Sequence, residues 1–283
     1  MVEQTHPARY WHSEGEGRVR CELCPHRCAI AEGRRGICRV REVRNGELKT
    51  LVYGHPSGLA VDPIEKKPLY HFRPGVSTLS YATVGCNFRC TFCQNHSISQ
   101  VNKELSQGEF VPPEAIVDEA QRHRAQVIAH TYTEPTIYFE YAYDVAVEAH
   151  RRGLANVFVT NGFTSEQPLR DVAPFLDAAN VDLKAFDDKT YQTICGGHLQ
   201  PVLDTIALMV ELGVWVEVTT LVVPGMNDSR RELDQIAGFI ASVNPDIPWH
   251  ISRFYPQYKM ADGRSTPVET MNSAVQAAED AGL

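Results

Sequence analysis

No stretch of this sequence approaches the roughly 18 consecutive apolar residues of a membrane-spanning helix, so no transmembrane segment is expected. The opening residues, Met1-Val2-Glu3-Gln4-Thr5-His6, lack the apolar core of a secretory signal. The expected location is therefore the cytoplasm, where thiols stay reduced. An excess of positive charge is also missing. The formal net charge of −8 argues against nucleic acid as an obligatory partner and disfavours a tRNA-modifying enzyme. Isolated cysteine is scarce as well, because seven of the eight cysteines fall in two clusters with metal-ligand spacing, which favours metal over disulfides. What is present is a globular composition. The 283 residues, 43% of them hydrophobic, suffice for one large α/β domain and a small appendage.

The first of the two clusters to carry chemistry is Cys86-Asn87-Phe88-Arg89-Cys90-Thr91-Phe92-Cys93, directly after the strand-like run Leu79–Gly85. Thiolates are soft ligands that select iron–sulfur clusters, zinc or Cu(I). A [4Fe–4S] cluster normally takes four thiolates, and this loop has three, with no fourth cysteine nearby in the chain. One iron would be left open, and an open position on a metal centre is where chemistry occurs. The second cluster is Cys21-x2-Cys24-Pro25-His26-Arg27-Cys28, followed by Cys38. Four thiolates on two knuckles suit zinc or an auxiliary iron–sulfur cluster equally, with His26 beside them. Residues 18–49 carry nine Arg or Lys (Arg18, Arg20, Arg27, Arg34, Arg35, Arg39, Arg41, Arg44 and Lys49) against four Glu. Such a basic surround would offset thiolates, dock an acidic partner, or simply face solvent.

Residues 1–20 show no periodicity and read as a lead-in. Asn45-Gly46 between the alternating runs 39–44 and 47–53 predicts a hairpin. The Pro-rich segment from Asp62 to Phe72 reads as an ordered connector over the next domain. From Val76 the pattern alternates. Strands are expected at 77–84, 126–131, 155–160, 180–186, 214–223 and 248–254. Helices are expected at 113–125, 136–152, 166–178, 200–212, 229–242 and 267–281. Pro113 suits a helix start, and Gly153, Gly213 and Gly282 suit helix ends. Six such repeats imply a parallel sheet with helical crossovers. A doubly wound sheet and an eight-fold barrel are alternatives, but only six strands can be counted, which favours a partial (β/α)6 barrel. The expected division is a Cys-rich metal-binding extension and connector over 1–75, and the barrel over 76–283.

In parallel α/β barrels, sites form at the C-terminal ends of the strands. Glu134, in Thr131-Tyr132-Thr133-Glu134-Pro135-Thr136, follows the second strand and supplies a carboxylate suited to an ammonium group. Asp182 and Lys184 are charges inside a strand that reads as buried, where they are costly unless paired. Cys195, in Ile194-Cys195-Gly196-Gly197, is a candidate hydrogen donor in the cavity or else an inert loop cysteine. His250, alone in the last strand, is a core or ligand-contacting residue.

Cys86-x3-Cys90-x2-Cys93, with Phe92 before the last cysteine, resembles the cluster loop of radical S-adenosylmethionine (SAM) enzymes. The resemblance implies a (β/α)6 barrel, a [4Fe–4S] cluster on these three cysteines, SAM on the open iron, and an external one-electron donor. The stretch before Glu134 resembles that family's Gly-Gly-Glu-Pro motif, with Tyr132 and Thr133 in place of the glycines. Thr160-Asn161-Gly162, Asp182-Leu183-Lys184 and Val222-Val223-Pro224-Gly225-x-Asn227-Asp228 resemble the glycyl-radical-activating branch, such as pyruvate formate-lyase activating enzyme. Thr133, Glu134, Thr160, Asn161, Asp182, Lys184, Val222 and His250 are thereby implied as SAM contacts, Val222 against the adenine and His250 at the ribose. Val159 and Thr219 depart from that branch, which has an aspartate and an arginine there.

The N-terminal cysteines, the run Asp62-Pro63-Ile64-Glu65-Lys66-Lys67-Pro68-Leu69-Tyr70-His71-Phe72 and the Cys93-Gln94-Asn95 ending of the loop together resemble the AmmeMemoRadiSam-system radical SAM enzyme. That resemblance implies partners of the AMMECR and Memo types and leaves the substrate open. The expected activity is reductive SAM cleavage and hydrogen abstraction from a protein or a small molecule, with glycyl-radical activation as one variant. The alternative of another class is a non-catalytic metal-binding scaffold or iron sensor.

Overall fold

The computed structural model of the chain describes residues 5–101 and 108–283. The N-terminal part is built of six short strands, β1 (His6–Pro7), β2 (Trp11–Gly15), β3 (Arg18–Cys21), β4 (Ala29–Ala31), β5 (Arg41–Arg44) and β6 (Glu47–Thr50). They form two three-stranded antiparallel sheets, β2-β3-β4 and β1-β6-β5. The β5–β6 turn is the expected Asn45-Gly46 pair. Both residues have positive φ, 55° and 75°, as a type I′ turn demands and as Asn and Gly tolerate. The lead-in thus contains three strands, each too short for a period-2 signal, while residues 1–4 lie outside the described part.

The main sheet has seven strands in the order β13-β12-β11-β10-β9-β8-β7. Strand β7 (Gly58–Pro63) runs antiparallel to β8 (Ser77–Ala82). The rest are parallel: β8, β9 (Val127–His130), β10 (Ala155–Thr160), β11 (Ala178–Asp182), β12 (Trp215–Val222) and β13 (Trp249–Arg253). Two short helices, α1 (His96–Ser99) and α5 (Asp188–Thr190), lie in loops. The crossovers are α2 (Pro113–Arg122), α3 (Phe139–Arg151), α4 (Glu166–Val172), α6 (Gln200–Glu211) and α7 (Arg230–Val243), and α8 (Val268–Ala281) follows β13. This is the expected six-fold β/α arrangement, a partial barrel with β7 and β13 as its two edges. The main sheet begins earlier than the division at residue 75 supposed. Gly58–Pro63 pairs with β8 over its whole length, and its closing proline is tolerated because the strand is an edge.

Strand β7 delivers the chain to the N-terminal end of the barrel, since Pro63 sits opposite Ser77, the first residue of β8. The connector then plugs that end. Ile64 and Leu69 pack among Val127, Ala129, Ala155, Val157 and Ala178, the small and branched residues of β9, β10 and β11. Burying the two plug side chains contributes about 1.5–3 kcal/mol each. The C-terminal ends of the strands are left free for the loops that carry the chemistry.

Candidate active site

The Cys86–Cys93 loop leaves β8 through Gly85, whose φ is +100°. A Cβ there would stand 2.7 Å from Cγ1 of Val40 and 2.9 Å from the carbonyl oxygen of Cys38, so only glycine lets the loop lie this close to the N-terminal extension. Inside the loop the Phe88 amide points at Sγ of Cys86 at 3.3 Å. Asn87 is fully buried, donates to the Phe163 carbonyl at 2.8 Å and accepts from Asn161 Nδ2 at 2.8 Å. The Ser99 hydroxyl of α1 lies 3.2 Å from Sγ of Cys93. The loop is therefore anchored by Asn87 and by polar contacts to the sulfurs of Cys86 and Cys93.

Glu134 follows β9 and is buried. Its Oε1 accepts from the Thr136 amide (3.0 Å), the Thr136 hydroxyl (2.8 Å) and the Thr160 hydroxyl (2.8 Å), and its Oε2 accepts from the Asn161 amide at 2.7 Å. Burial raises its pKa, and these donors counter the rise. Oε1 is saturated, while Oε2 holds one donor and keeps a lone pair for another. Thr160 and Asn161 end β10, and Asn161 Nδ2 is 3.8 Å from Sγ of Cys86. The structure thus brings Glu134, Thr160, Asn161 and Cys86 into one connected network. Thr133, next to Glu134 in the chain, is tied instead to the end of β8, its hydroxyl donating to the Thr83 carbonyl at 2.8 Å. Tyr132, in place of a glycine, takes φ +62°. Its side chain turns toward the plug, where its hydroxyl donates to Asp62 at 3.1 Å and meets Lys67 Nζ at 3.3 Å.

Asp182 ends β11 and Lys184 follows it two residues on; the two form an ion pair, with Nζ 2.8 Å from Oδ2. The Asp182 side chain is 38% exposed and opens outward, whereas Lys184 is largely enclosed beside the Phe92 ring at 5.8 Å. Cys90 is the thiol nearest this charge. A hydrogen bond from Cys195 pulls the Cys90 pKa down against the opposing effect of burial, and Lys184 assists. Cys195 is buried in a π-turn, Tyr191–Cys195, and its carbonyl accepts from the Arg89 amide at 2.6 Å. Its thiol is pushed up by the bond to Cys90 and by burial.

The side chains of Val222 and His250 make their contacts away from this network. The Val222 side chain packs outward against Leu233, Ala237, Ala274 and Ala277 of α7 and α8, and its carbonyl accepts from Thr266 Oγ1 at 2.6 Å. His250 lies toward the plugged end. Its Nε2 is 2.6 Å from Glu217 Oε2, and its ring packs on Tyr70 and His71 of the connector. Val222 lies in a strand buried on both faces and His250 in one that is half-buried nearly throughout, so alternation in the sequence could not give the phase.

The four N-terminal cysteines converge. Cys21, Cys24, Cys28 and Cys38 line a cavity of ≈ 20 Å³ together with His26, Arg41 and the apolar Leu23, Ile30, Ile37 and Ile137. Burial and the neighbouring thiols raise the pKa of Cys24 and Cys28, and burial pushes Cys38 up to about 11. A soft cation at the centre would reverse that logic by deprotonating all four, so the donor set fits a thiophilic metal. His26 faces the other cysteine loop, with Nε2 2.8 Å from the Asn87 carbonyl.

Three thiols on one loop after the first parallel strand, facing a buried carboxylate and an Asp–Lys pair on the next strands, define a metal-dependent enzyme site at the C-terminal end of a partial barrel. The chain belongs to the radical SAM superfamily, whose model matches residues 80–237, over half its length. It is 43% identical over 277 residues to an uncharacterized protein of Methanocaldococcus jannaschii, covering 98% of this chain and 82% of that one. A putative glycyl-radical enzyme activating enzyme of the same organism is 26% identical, covering 62% of this chain and 67% of that protein. The pyruvate formate-lyase-activating enzyme of Clostridium pasteurianum is 22% identical, covering 60% and 71%. Among solved structures, methylornithine synthase shares the fold with a TM-score of 0.53 at 15% identity, over 77% of this chain and 67% of that one. No helix among the described residues is long and apolar enough to cross a membrane.

Proposed function

We propose that this chain binds a [4Fe–4S] cluster through Cys86, Cys90 and Cys93 and holds SAM against its open iron. The observation that carries the reading is the junction of Asn161 with both Cys86 and Glu134, which joins the cluster loop to an acceptor suited to an ammonium group. When bound, this cofactor pair supplies one-electron cleavage of SAM to methionine and a 5′-deoxyadenosyl radical. The chain's own residues orient the reactants. The free lone pair on Glu134 Oε2 takes the SAM ammonium, with Thr136, Thr160 and Asn161 fixing the carboxylate in place and Thr133 beside it. Lys184 offers positive charge for the SAM carboxylate, and Asp182 keeps that lysine aligned. Lys184 also offsets the negative charge that three thiolates bring to the loop.

The N-terminal cysteines hold a second metal, zinc or an auxiliary iron–sulfur cluster, in this reading. An external donor supplies the electron. Glycyl-radical activation is the variant favoured by the names of the two activating-enzyme relatives. The motif set supports AMMECR-type and Memo-type partners, and the reduced thiols suit a cytoplasmic setting. Anaerobic reconstitution with iron and sulfide, followed by dithionite and SAM, tests the activity. 5′-Deoxyadenosine is expected from the wild type and not from Cys86→Ala; equal yields from both would refute it.

A further inference from the structure

At the plugged end of the barrel, two imidazoles and a carboxylate converge on one oxygen. Oε2 of Glu217 is 2.6 Å from His250 Nε2 and 3.5 Å from His71 Nδ1. One ligand atom from each residue falls within 4.8 Å of those of the other two. We propose that His71, Glu217 and His250 bind a divalent transition-metal ion of the zinc class, with its fourth position open to water. The site shares no residue with the radical SAM machinery and lies at the opposite end of the strands.

The carboxylate is already oriented for this. Oε1 accepts from the His71 amide (3.0 Å), the Phe72 amide (2.9 Å) and Trp215 Nε1 (3.0 Å), and Oε2 accepts from the Tyr70 amide at 2.9 Å. Those bonds leave Oε2 one lone pair, now shared with His250. They also pin the backbone of residues 70–72, so His71 is carried by a fixed segment.

The two distances to Glu217 fit a small ion. Tetrahedral ligands at about 2.05 Å from zinc lie about 3.3 Å from one another. The His71 separation already matches, and the His250–Glu217 pair need only open by a little over half an ångström. The accessibility is graded as an open site requires. Glu217 is wholly buried, His250 is 14% exposed, and His71 is 58% exposed at the entrance. A neutral imidazole pair and one carboxylate is a nitrogen–oxygen donor set suited to zinc and its neighbours, not to calcium. Occupancy would rivet the connector to β12 and β13.

The test uses the full chain reconstituted with iron and sulfide, equilibrated with zinc chloride, passed over a desalting column and assayed for zinc and iron. The wild type should hold one zinc equivalent more than His71→Ala, with iron unchanged. His250→Gln should match His71→Ala. His198→Ala, which alters an exposed histidine paired with Asp188, should match the wild type. His71 is exposed enough that its removal leaves the fold intact. Equal zinc in wild type and His71→Ala, or an equal loss in His198→Ala, overturns the proposal.

Discussion

Arg41 and Glu140 meet in a two-pronged ion pair, Nη1 to Oε2 at 3.1 Å and Nη2 to Oε1 at 3.0 Å, with their side chains 1% and 2% exposed. The pair joins β5 of the extension to α3 of the barrel. Arg41 Nη2 also donates to the Arg9 carbonyl at 2.7 Å, and the Arg9 amide returns a bond to Glu140 Oε1 at 2.7 Å. Because Arg41 also lines the four-cysteine cavity, the extension's cysteine site and the barrel share one electrostatic joint. Removing one partner strands the other charge in a dry interior. Glu140→Gln should cost about 3–5 kcal/mol in urea unfolding. The double variant Arg41→Met/Glu140→Leu, which leaves no buried charge, should recover a large part of that loss.

The second joint between the two parts is the contact of Gly85 with Val40 and the Cys38 carbonyl. Gly85→Ala combines a φ of +100° with a methyl group 2.7–2.9 Å from its neighbours. Strain and overpacking each cost of the order of 1–3 kcal/mol. A stability loss of about 3 kcal/mol is expected. Iron content after reconstitution should also fall, because the loop that bears Cys86 cannot close on the extension. Iron assay and thermal unfolding of the same preparation check both.

The sequence made the barrel readable because its parallel strands and their helices differ in length and period, and the Gly and Pro punctuation falls at their ends. The cysteine loop, Glu134, Thr160, Asn161 and the Asp182–Lys184 pair were legible as motifs at strand ends. Val222 was not, because β12 carries almost no exposed position to mark which face is inward, and His250 was not, because β13 is half-buried along nearly its whole length. Strand β7 was hidden in a Pro-rich run that ends in the plug. Asn87 and Tyr132 carry no chemical signal of their own. Their roles come from a bond across to Asn161 and from a left-handed backbone, and a linear pattern displays neither.

Tyr132 provides a test of that backbone. A non-glycine residue at φ +62° costs about 1–2 kcal/mol, yet its hydroxyl bonds Asp62 and the buried Lys67. Tyr132→Phe keeps the strain and removes those bonds, so it should destabilise by about 1–2 kcal/mol. Tyr132→Gly relieves the strain and should lie within about 1 kcal/mol of Tyr132→Phe despite losing the whole ring. Chemical denaturation of the two variants side by side decides it.

His130 gives the protein a pH dependence. It is fully buried between Tyr81 and Asn156, and burial lowers its pKa to about 3. In the unfolded chain it protonates near 6.5. The unfolded state therefore binds a proton that the folded state refuses. The associated stability is present above pH 6.5 and is lost as pH falls toward 3, at about 1.4 kcal/mol per unit. Unfolding free energy measured from pH 7 to pH 5 should show this slope, and His130→Gln should remove that part of it.

Cys195 separates two roles for a thiol beside the cluster. Its burial and its place beside Cys90 suit a thiol that tunes a cluster held on the loop better than one that meets a substrate radical. Hydrogen bonds to cluster sulfur help set the reduction potential, because they stabilise the more negative reduced state. Losing a bond that is stronger by about 1 kcal/mol to the reduced cluster lowers a one-electron potential by about 40 mV. Cys195→Ala should therefore keep its full iron content and still form 5′-deoxyadenosine with dithionite, with a potential lower by that amount in a redox titration. Cys90→Ala should lose both iron and activity. If Cys195 instead delivered hydrogen to a product radical, Cys195→Ala would leave the potential unmoved and 5′-deoxyadenosine formation intact while product formation stopped. The buried π-turn position argues for the first pattern.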